Sequence, residues 1–547
     1  MSPAVCYQRN SMKTSVLAWR VLAIGVMTLS FCIAVYRAKV QSIGHDEAEE
    51  YVWFLSSGAH GVLEYNPANH VLFTLLAKPT VWVFGVSEFT LRAPSLVGAA
   101  LYLIVTYLLC RRLFGEGALF FFSVAMLCLN PQIVDFMGAA RGYILGLGFL
   151  LGGLYVLVRL ASRGKFGPDD KTWLWGCAVA SVLLALSLVA NFSNVVPVAA
   201  LMLCFSAFAL GGFAALAKLR DHTLHTFARF FVAPGVVVGF CLLWPYLIQV
   251  RFGQYKMNMD RGSDSLRDVF TSSFLYKWTD DMYAHSLGAV APLPGSWQQL
   301  TINLGIYILL PCLFLFVLVG LILLSRVRSE PETIYSISCR IIAGAAVTSV
   351  ALIVLLHVLA GLDYPLSRYC LYLVPLFTLS GLLVGQELSR RFPRPYFKMV
   401  GFLVCALVTC DYGLSLQTTR FRYNAYDVIS RTLFQTIASD AQARGLVNVR
   451  AGGTWWYDPE LNFYRRRYKA DWMKPYDVKD RSYFWESPNA LEPGEYDYYV
   501  FTPENDPGLA GARTRTIFQD RTTRLTVLAI ENPRPRTSPG TATKPVR

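Results

Sequence analysis

The sequence contains few charged residues. Only 16% of its 547 residues are charged and 54% are hydrophobic, which is more apolar than a soluble protein of this length would be. None of its 12 cysteines follows Cys410, so the polar C-terminal part cannot be a disulfide scaffold. A glycine-rich nucleotide loop, a Walker motif and an internal repeat are also absent. The composition therefore predicts a polytopic membrane protein without a site for a soluble nucleotide.

The net charge of +14 does not indicate a nucleic-acid partner. The basic residues gather in short segments between apolar stretches, as in Arg111-Arg112 and Arg390-Arg391. Short loops of this kind orient membrane spans, with the basic loops in the cytoplasm. We expect no nucleic acid as a partner, and we place the N-terminus and these loops inside.

About eleven apolar stretches approach the roughly 20 residues that a membrane-spanning helix needs. A further apolar segment, 72–86, is short and is interrupted by Lys78-Pro79. Counting it as a span would move Arg111-Arg112 outside, so we predict that it lies along the membrane. The predicted spans are 16–36, 93–110, 117–131, 142–159, 173–190, 195–215, 228–249, 301–324, 341–361, 370–388 and 399–416.

After residue 416 the composition becomes that of a soluble domain. Residues 1–416 then form the transmembrane module, with 37–92 as its first outer loop, and 417–531 form a small α/β domain outside the cytoplasm. Residues 532–547, rich in Pro, Thr and Arg, are predicted to be disordered. The expected helices are 425–443 and 459–468, and the expected strands are 447–450, 496–501 and 525–530.

An acidic cluster, His45-Asp46-Glu47-Ala48-Glu49-Glu50, follows the first span. Apolar or small residues then recur at helical spacing, which predicts a helix lying on an interface. Gly58 and Gly61 are expected to end this helix. The stripe consists of Ala48, Tyr51, Val52, Leu55 and Ala59.

Three motifs in the first 160 residues carry a resemblance. They are the acidic cluster, the turn Asn66-Pro67-Ala68-Asn69-His70 that opens an apolar segment, and the tail Glu88-Phe89-Thr90-Leu91-Arg92-Ala93-Pro94. Together they resemble polyprenyl-phosphate-sugar-dependent glycosyltransferases of the GT-C class, and within it the protein mannosyltransferase and aminoarabinose transferase group. The fold that this implies is a polytopic α-helical membrane protein with about eleven transmembrane helices, interfacial helices and a C-terminal α/β domain.

The resemblance implies that Asp46 acts on the acceptor, with Glu47 as the second choice. An alternative is that Asp46 N-caps the interfacial helix and that Glu49 completes a capping box. The excess of acidic residues beyond what a cap needs favours the catalytic interpretation, because such a cluster at a lipid surface is repelled unless a cation offsets it.

Asp46 and His70 are also candidate ligands of a divalent metal ion, with His45 nearby in sequence. Two histidines 25 residues apart are a weak metal signature, since they lack the regularity of CxxC or HExxH motifs. The alternative for His70 is a capping or hydrogen-bonded histidine at the start of its apolar segment.

Two outer turns, Asn130 to Tyr143 and Leu362 to Tyr369, are candidates for donor binding. The turn Asn130 to Tyr143 resembles the second outer loop of the class, which carries an acidic residue two positions before the arginine; here that position is Ala139, and Asp135 could substitute for it. Arg141 and Arg368, with Tyr143 and Tyr369, are candidates for binding a lipid phosphate. The alternative for Arg141 is an interfacial arginine whose charge reaches into water.

The sequence thus predicts an integral membrane glycosyltransferase that takes a sugar from a polyprenyl phosphate on the outer face of the membrane, and we expect this membrane to be the bacterial inner membrane. Membrane lipid is an expected partner and the acceptor is open. The rival interpretation is a transporter or flippase of a lipid-linked glycan, although such proteins favour inverted repeats. Trp455-Trp456-Tyr457 and Arg465-Arg466-Arg467 are either glycan contacts or ordinary core aromatics and a solvated helix face.

Overall fold

The computed structural model describes the chain outside residues 1–2, 59–60, 62–68, 164–170, 210–229, 238, 240–262, 275–304, 327–333, 419–427, 477–494, 502–508, 510–512, 521–524 and 532–547. The predicted disordered tail 532–547, the Asn66-Pro67 part of the first outer loop and most of the predicted span 228–249 lie outside the described residues. The chain divides into two compact units.

The first unit comprises residues 1–41, 53–280 and 294–423 and is helical where it is described. Its long apolar segments form helices because a helix pairs all of its backbone N–H and C=O groups within the segment, which the interior of a membrane requires. Its α-helices are Pro3–Val40, Val71–Phe84, Glu88–Phe114, Ala118–Cys128, Pro131–Gly138, Tyr143–Ala161, Lys171–Ala190, Val195–Ala209, Leu266–Phe274, Leu310–Arg326, Ile334–Ala360, Leu373–Arg391 and Pro395–Leu414.

Seven helices in the described part of the chain are long and apolar enough to cross a membrane. The number rises to eight if Ala118–Cys128 and Pro131–Gly138, which meet at an angle of 56°, form one broken span. The protein is therefore an integral multi-pass membrane protein, as predicted, while the expected number of about eleven spans is not confirmed. Helix Val71–Phe84 has 14 residues, which is about 21 Å of helix and too short to cross a hydrocarbon core of about 30 Å.

Arg92 explains part of the third motif. Its side chain is fully buried, and its Nη1 donates hydrogen bonds to the carbonyl oxygens of Ala38 and Gln41 at 3.3 and 2.8 Å. These carbonyls belong to the C-terminal end of the first helix, where unpaired carbonyls and the helix dipole favour a cation. Arg92 thereby ties helix Glu88–Phe114 to the end of helix Pro3–Val40.

The second unit comprises residues 42–52, 281–293 and 424–547. Its described α-helices are His45–Glu49, Ser430–Ala443 and Asp458–Arg467, and its strands are β1 (Ala451–Gly453), β2 (Tyr498–Phe501), β3 (Thr514–Gln519) and β4 (Thr526–Ile530). The strand order is β1-β2-β4-β3, with β1 and β2 parallel and the other two pairs antiparallel.

The helices and the strands β2 and β4 of this unit lie close to their predicted positions. The strand expected at 447–450 begins instead at Ala451, and β3 was not predicted. β3 is an edge strand that is only half-buried and carries an irregular register between Thr516 and Phe518. Its polar residues therefore lack the alternation by which a strand is recognised in a sequence.

Candidate functional site

The acidic cluster forms the beginning of a short helix. Residues His45–Glu49 are α-helical and Glu50–Leu55 continue as a π-helix, a local widening that occurs often at functional sites. The N-cap is Gly44, whose N–H donates to the Glu47 carboxylate at 2.8 Å. Asp46 therefore lies inside the helix, and the alternative that it serves as the N-cap is wrong. Capping is instead a role of Glu47, the second catalytic candidate.

The apolar stripe after Asp46 is buried at Ala48, Tyr51 and Leu55 and half-buried at Val52, while Ala59 lies outside the described residues. The acidic side chains of the cluster are buried as well, so the helix does not show the exposed polar face that an interfacial helix was predicted to have. The π-helix ends at Leu55, and Gly58 adopts a φ of +79°. This left-handed conformation is readily available only to glycine. The helix nevertheless ends three residues before the predicted stop at Gly58, and Gly58 and Gly61 are themselves helical.

His45, which directly precedes Asp46, is enclosed by charged and aromatic groups of the second unit. Its Nε2 lies 3.1 Å from Glu49 Oε1, and its Nδ1 lies 3.4 Å from Glu460 Oε2 and 2.5 Å from the carbonyl oxygen of Trp456. The ring stacks on Trp456 at 4.7 Å and meets Trp455 edge-on at 5.3 Å. The two tryptophans are therefore contacts of His45. Both are half-buried, and their interpretation as glycan contacts or core aromatics stays open.

The protonation of this cluster follows from its environment. Burial disfavours the charged imidazolium, but the charges of Glu49 and Glu460 outweigh burial and place the pKa of His45 well above its ordinary value. Burial raises the pKa of the Glu460 carboxyl, although the nearby His45 acts in the opposite direction. Both ring nitrogens of His45 face oxygen acceptors, an arrangement that favours the doubly protonated ring.

In the first unit, Gly142 lets three chain segments approach closely. A Cβ atom at Gly142 would lie 2.0 Å from the carbonyl oxygen of Ala190 and 2.9 Å from the His70 side chain, so no larger residue fits without a shift. His70 Nδ1 is 3.0 Å from the same carbonyl, and the His70 ring meets the Tyr143 ring edge-on at 4.7 Å. The structure thus brings together His70 and Tyr143, which the sequence placed 73 positions apart in two different motifs.

The turn that carries Arg368 and Tyr369 also lies beside Tyr143. The Arg368 guanidinium lies 5.9 Å from the centre of the Tyr143 ring and 5.1 Å from that of Tyr369, and its Nη2 is 3.3 Å from the Tyr369 hydroxyl. Such distances allow attraction between a cation and an aromatic face. Arg368 is buried, as is Arg141, whose carbonyl oxygen accepts a hydrogen bond from Ser95 at 3.1 Å.

Ser367 holds Arg368 in place through a constrained backbone. Its φ is +48°, a conformation that is uncommon for residues other than glycine. Its N–H donates to Ser272 Oγ at 2.7 Å, and its hydroxyl oxygen accepts from Gln132 Nε2 at 3.0 Å. Gln132 belongs to the helix Pro131–Gly138 of the other turn. Constrained backbone of this kind persists only where the surroundings over-determine it.

Asp135 has a partner that the sequence analysis missed. Its Oδ1 accepts a hydrogen bond from Arg37 Nη2 at 2.7 Å, and both side chains are almost completely buried. The signal was weak, because Arg37 reads as an ordinary basic residue at the end of the first apolar run. We therefore regard Asp135 as a group that fixes the helix before Arg141, and a direct role in substrate binding stays a prediction.

The residues described in the structure do not fit a metal site made of protein ligands alone. Among them, no three His, Cys, Asp or Glu side chains are grouped as a metal ion would require. The metal role of Asp46 and His70 stays a prediction.

Comparison with solved structures identifies the fold. ArnT from Cupriavidus metallidurans in its apo state, a GT-C aminoarabinose transferase, matches with a TM-score of 0.50 and 13% identity over 94% of this chain and 98% of that chain. The same protein bound to undecaprenyl phosphate matches with a TM-score of 0.49, 14% identity and the same coverage. The chain therefore has the GT-C-like fold.

A third similar structure is the Archaeoglobus fulgidus oligosaccharyltransferase in complex with zinc and sulfate, with a TM-score of 0.44, 14% identity, and coverage of 81% of this chain and 61% of that chain. No family model matches the sequence. No curated protein matches it either.

Proposed function

We propose that this protein is an integral membrane glycosyltransferase that takes a sugar from a polyprenyl phosphate on the outer face of the membrane and transfers it to a hydroxyl or amino acceptor. The observation that carries the proposal is the meeting of two outer turns, through Gln132 with Ser367 and Tyr143 with Arg368. Each turn carries an arginine and a tyrosine that the sequence alone predicts as phosphate-binding candidates.

The charges at this place suit an anionic ligand. Asp135 is neutralised by Arg37, while Arg368 is buried beside two tyrosine rings and Arg141 is buried two residues before Tyr143. Guanidinium groups bind phosphate oxygens through two parallel hydrogen bonds. Arg368 and Arg141 would hold the donor phosphate, and the tyrosines would orient it.

The reaction needs an acceptor that loses a proton and a phosphate that leaves. In the proposed step the Asp46 carboxylate takes the proton from the acceptor as the new bond to the sugar forms. The bond between the sugar and the phosphate oxygen breaks, and the polyprenyl phosphate departs with the bonding electrons. Fixed cations stabilise the charge that develops on that oxygen. The sugar and the acceptor are open in this proposal.

The direct test uses purified protein in lipid vesicles with a polyprenyl phosphate carrying a radiolabelled sugar. We expect release of the label from the lipid and its transfer to an acceptor extract, with loss of transfer in Asp46→Asn. Movement of the intact lipid across the vesicle membrane without cleavage of the sugar–phosphate bond would establish the transporter interpretation instead.

A further inference from the structure

Glu460 is a buried acidic residue of the second unit that the proposed reaction does not use. It lies in the first turn of helix Asp458–Arg467 and is fully buried. Neither of its carboxylate oxygens has a hydrogen-bond partner among the described residues. Its Oε2 lies 3.4 Å from His45 Nδ1. A carboxylate out of water is costly unless it is paired with a cation, so the contact with His45 explains how Glu460 is tolerated.

His45 in turn joins two helices that are more than 400 positions apart in sequence. It holds Glu49 of its own helix through Nε2 and faces Glu460 and the Trp456 carbonyl through Nδ1. The stacked Trp456 ring covers the imidazole, which is itself only 4% exposed. Water is thereby kept from the ion pair, and charges in such an environment interact more strongly than they do at a surface.

The residues around Asp46 are attached to the same unit on both sides. Before it, the Ile43 N–H donates to the Tyr464 hydroxyl at 2.9 Å, and the Ile43 carbonyl accepts from Ser430 at 2.9 Å. After it, Tyr51 meets Phe463 edge-on at 5.4 Å. A helix of five residues has no stability of its own, so these contacts determine where its side chains point.

We propose that His45 is a positioning residue that acts with Glu460, and that the C-terminal domain thereby holds the short helix carrying Asp46 in its reactive orientation. This inference rests on the proposed function, because it assigns to Asp46 the role of general base. It gives the C-terminal domain a task in the reaction without any contact to the substrate. His45 and Glu460 position Asp46 and do not take part in the chemical step.

The experiment compares Glu460→Gln and His45→Gln with Glu531→Gln, a control that removes an exposed carboxylate from the same unit. Glutamine keeps the size of Glu460 and removes its charge. We expect kcat to fall by about 10- to 100-fold in both test variants, the scale for a displaced catalytic group, with an unchanged Kd for the polyprenyl phosphate. The double variant should lose little more than His45→Gln alone, because the contact with Glu460 is already absent once His45 is replaced. Glu531→Gln should behave as the wild type.

Hydrogen exchange provides a measurement that does not depend on activity. Backbone amides of residues 42–52 should exchange faster in both test variants than in the wild type, while those of β2 and β4 should not change. Wild-type kcat together with unchanged exchange at 42–52 in Glu460→Gln would overturn the inference. Faster exchange there in a protein that never transfers sugar would uphold the attachment and reject the proposed function, so the two failures can be told apart.

Discussion

Arg37 and Asp135 form an almost fully buried ion pair, with Nη2 and Oδ1 separated by 2.7 Å. The two residues belong to the helices Pro3–Val40 and Pro131–Gly138, which are distant in sequence. The second helix ends just before Arg141, so the ion pair fixes the start of the turn that carries the donor-site candidates. The sequence predicts a role in substrate binding for Asp135, whereas the partner of its carboxylate in the structure is the Arg37 side chain.

Breaking this pair should destabilise the protein. We expect Asp135→Leu and Arg37→Met each to lower the free energy of unfolding by about 3–5 kcal/mol, because each leaves one charge buried without its partner. The double variant Arg37→Met with Asp135→Leu should recover much of that loss. Thermal unfolding in detergent measures the three variants. Equal losses in the double variant and in the sum of the single variants would show that the pair does not act as a unit.

The donor site should respond to loss of either arginine. Arg141→Ala and Arg368→Ala should each weaken binding of a polyprenyl phosphate by about 1.5–3 kcal/mol, the value of a hydrogen bond to a charged group. Titration calorimetry with the lipid in detergent measures the change. Arg394→Ala, which removes an exposed arginine at the start of helix Pro395–Leu414, is the control and should bind normally. Unchanged binding in both test variants would place the phosphate elsewhere.

Variants of Asp46 and Glu47 should differ in their effects, the first on turnover and the second on stability. Asp46→Asn keeps the size of the side chain and removes the proton acceptor, so turnover should fall by about 10² to 10⁴ while thermal stability holds. Glu47→Ala removes the acceptor of the Gly44 N–H and should cost about 1 kcal/mol of stability, as loss of a cap does. Both quantities are measured on the same preparations. An Asp46→Asn enzyme with full activity would contradict the assignment of the base.

The predicted topology can be tested by labelling. Single cysteines at Arg112 and Lys469, both exposed positions, are introduced into a chain without native cysteines and treated with a membrane-impermeant thiol reagent. We expect labelling from outside at 469 and protection at 112, because short basic loops stay in the cytoplasm. The reverse pattern would mean that the orientation is inverted.

Acid should weaken the second unit through Asp440. Burial acts against its charge, but the Tyr498 hydroxyl, which donates at 2.9 Å, together with Arg515 and Arg444, lowers the pKa of the Asp440 carboxyl below its ordinary value. Since the unfolded chain then binds more protons, this stabilisation is complete above the ordinary pKa of about 3.9 and is lost as the pH falls through the lowered value.

The corresponding variant is Asp440→Asn, which has no charge to lose. Its thermal midpoint should be lower than that of the wild type at about pH 6, and the difference should shrink towards about pH 3. Near-ultraviolet circular dichroism follows the transition. A constant difference over this range would show that Asp440 acts only through neutral hydrogen bonds.

The helical membrane module, the non-spanning helix at Val71–Phe84 and most elements of the α/β domain could be predicted from the sequence, because they depend on apolar length and periodicity within single segments. The GT-C-like class was implied only by the resemblance of three motifs. The two donor turns could also be predicted, because their arginines stand next to predicted spans in the sequence. Their proximity could not be predicted, because it depends on how distant helices pack.

Only the tertiary structure decided the partners of the charged residues. The sequence placed Asp46 as a possible cap, whereas the backbone assigns capping to Gly44 and Glu47. It offered no partner for Asp135 and gave no reason to connect His45 with Glu460. The attraction between the two groups of each pair depends on their distance in space. The number of residues between them in the sequence does not determine that distance.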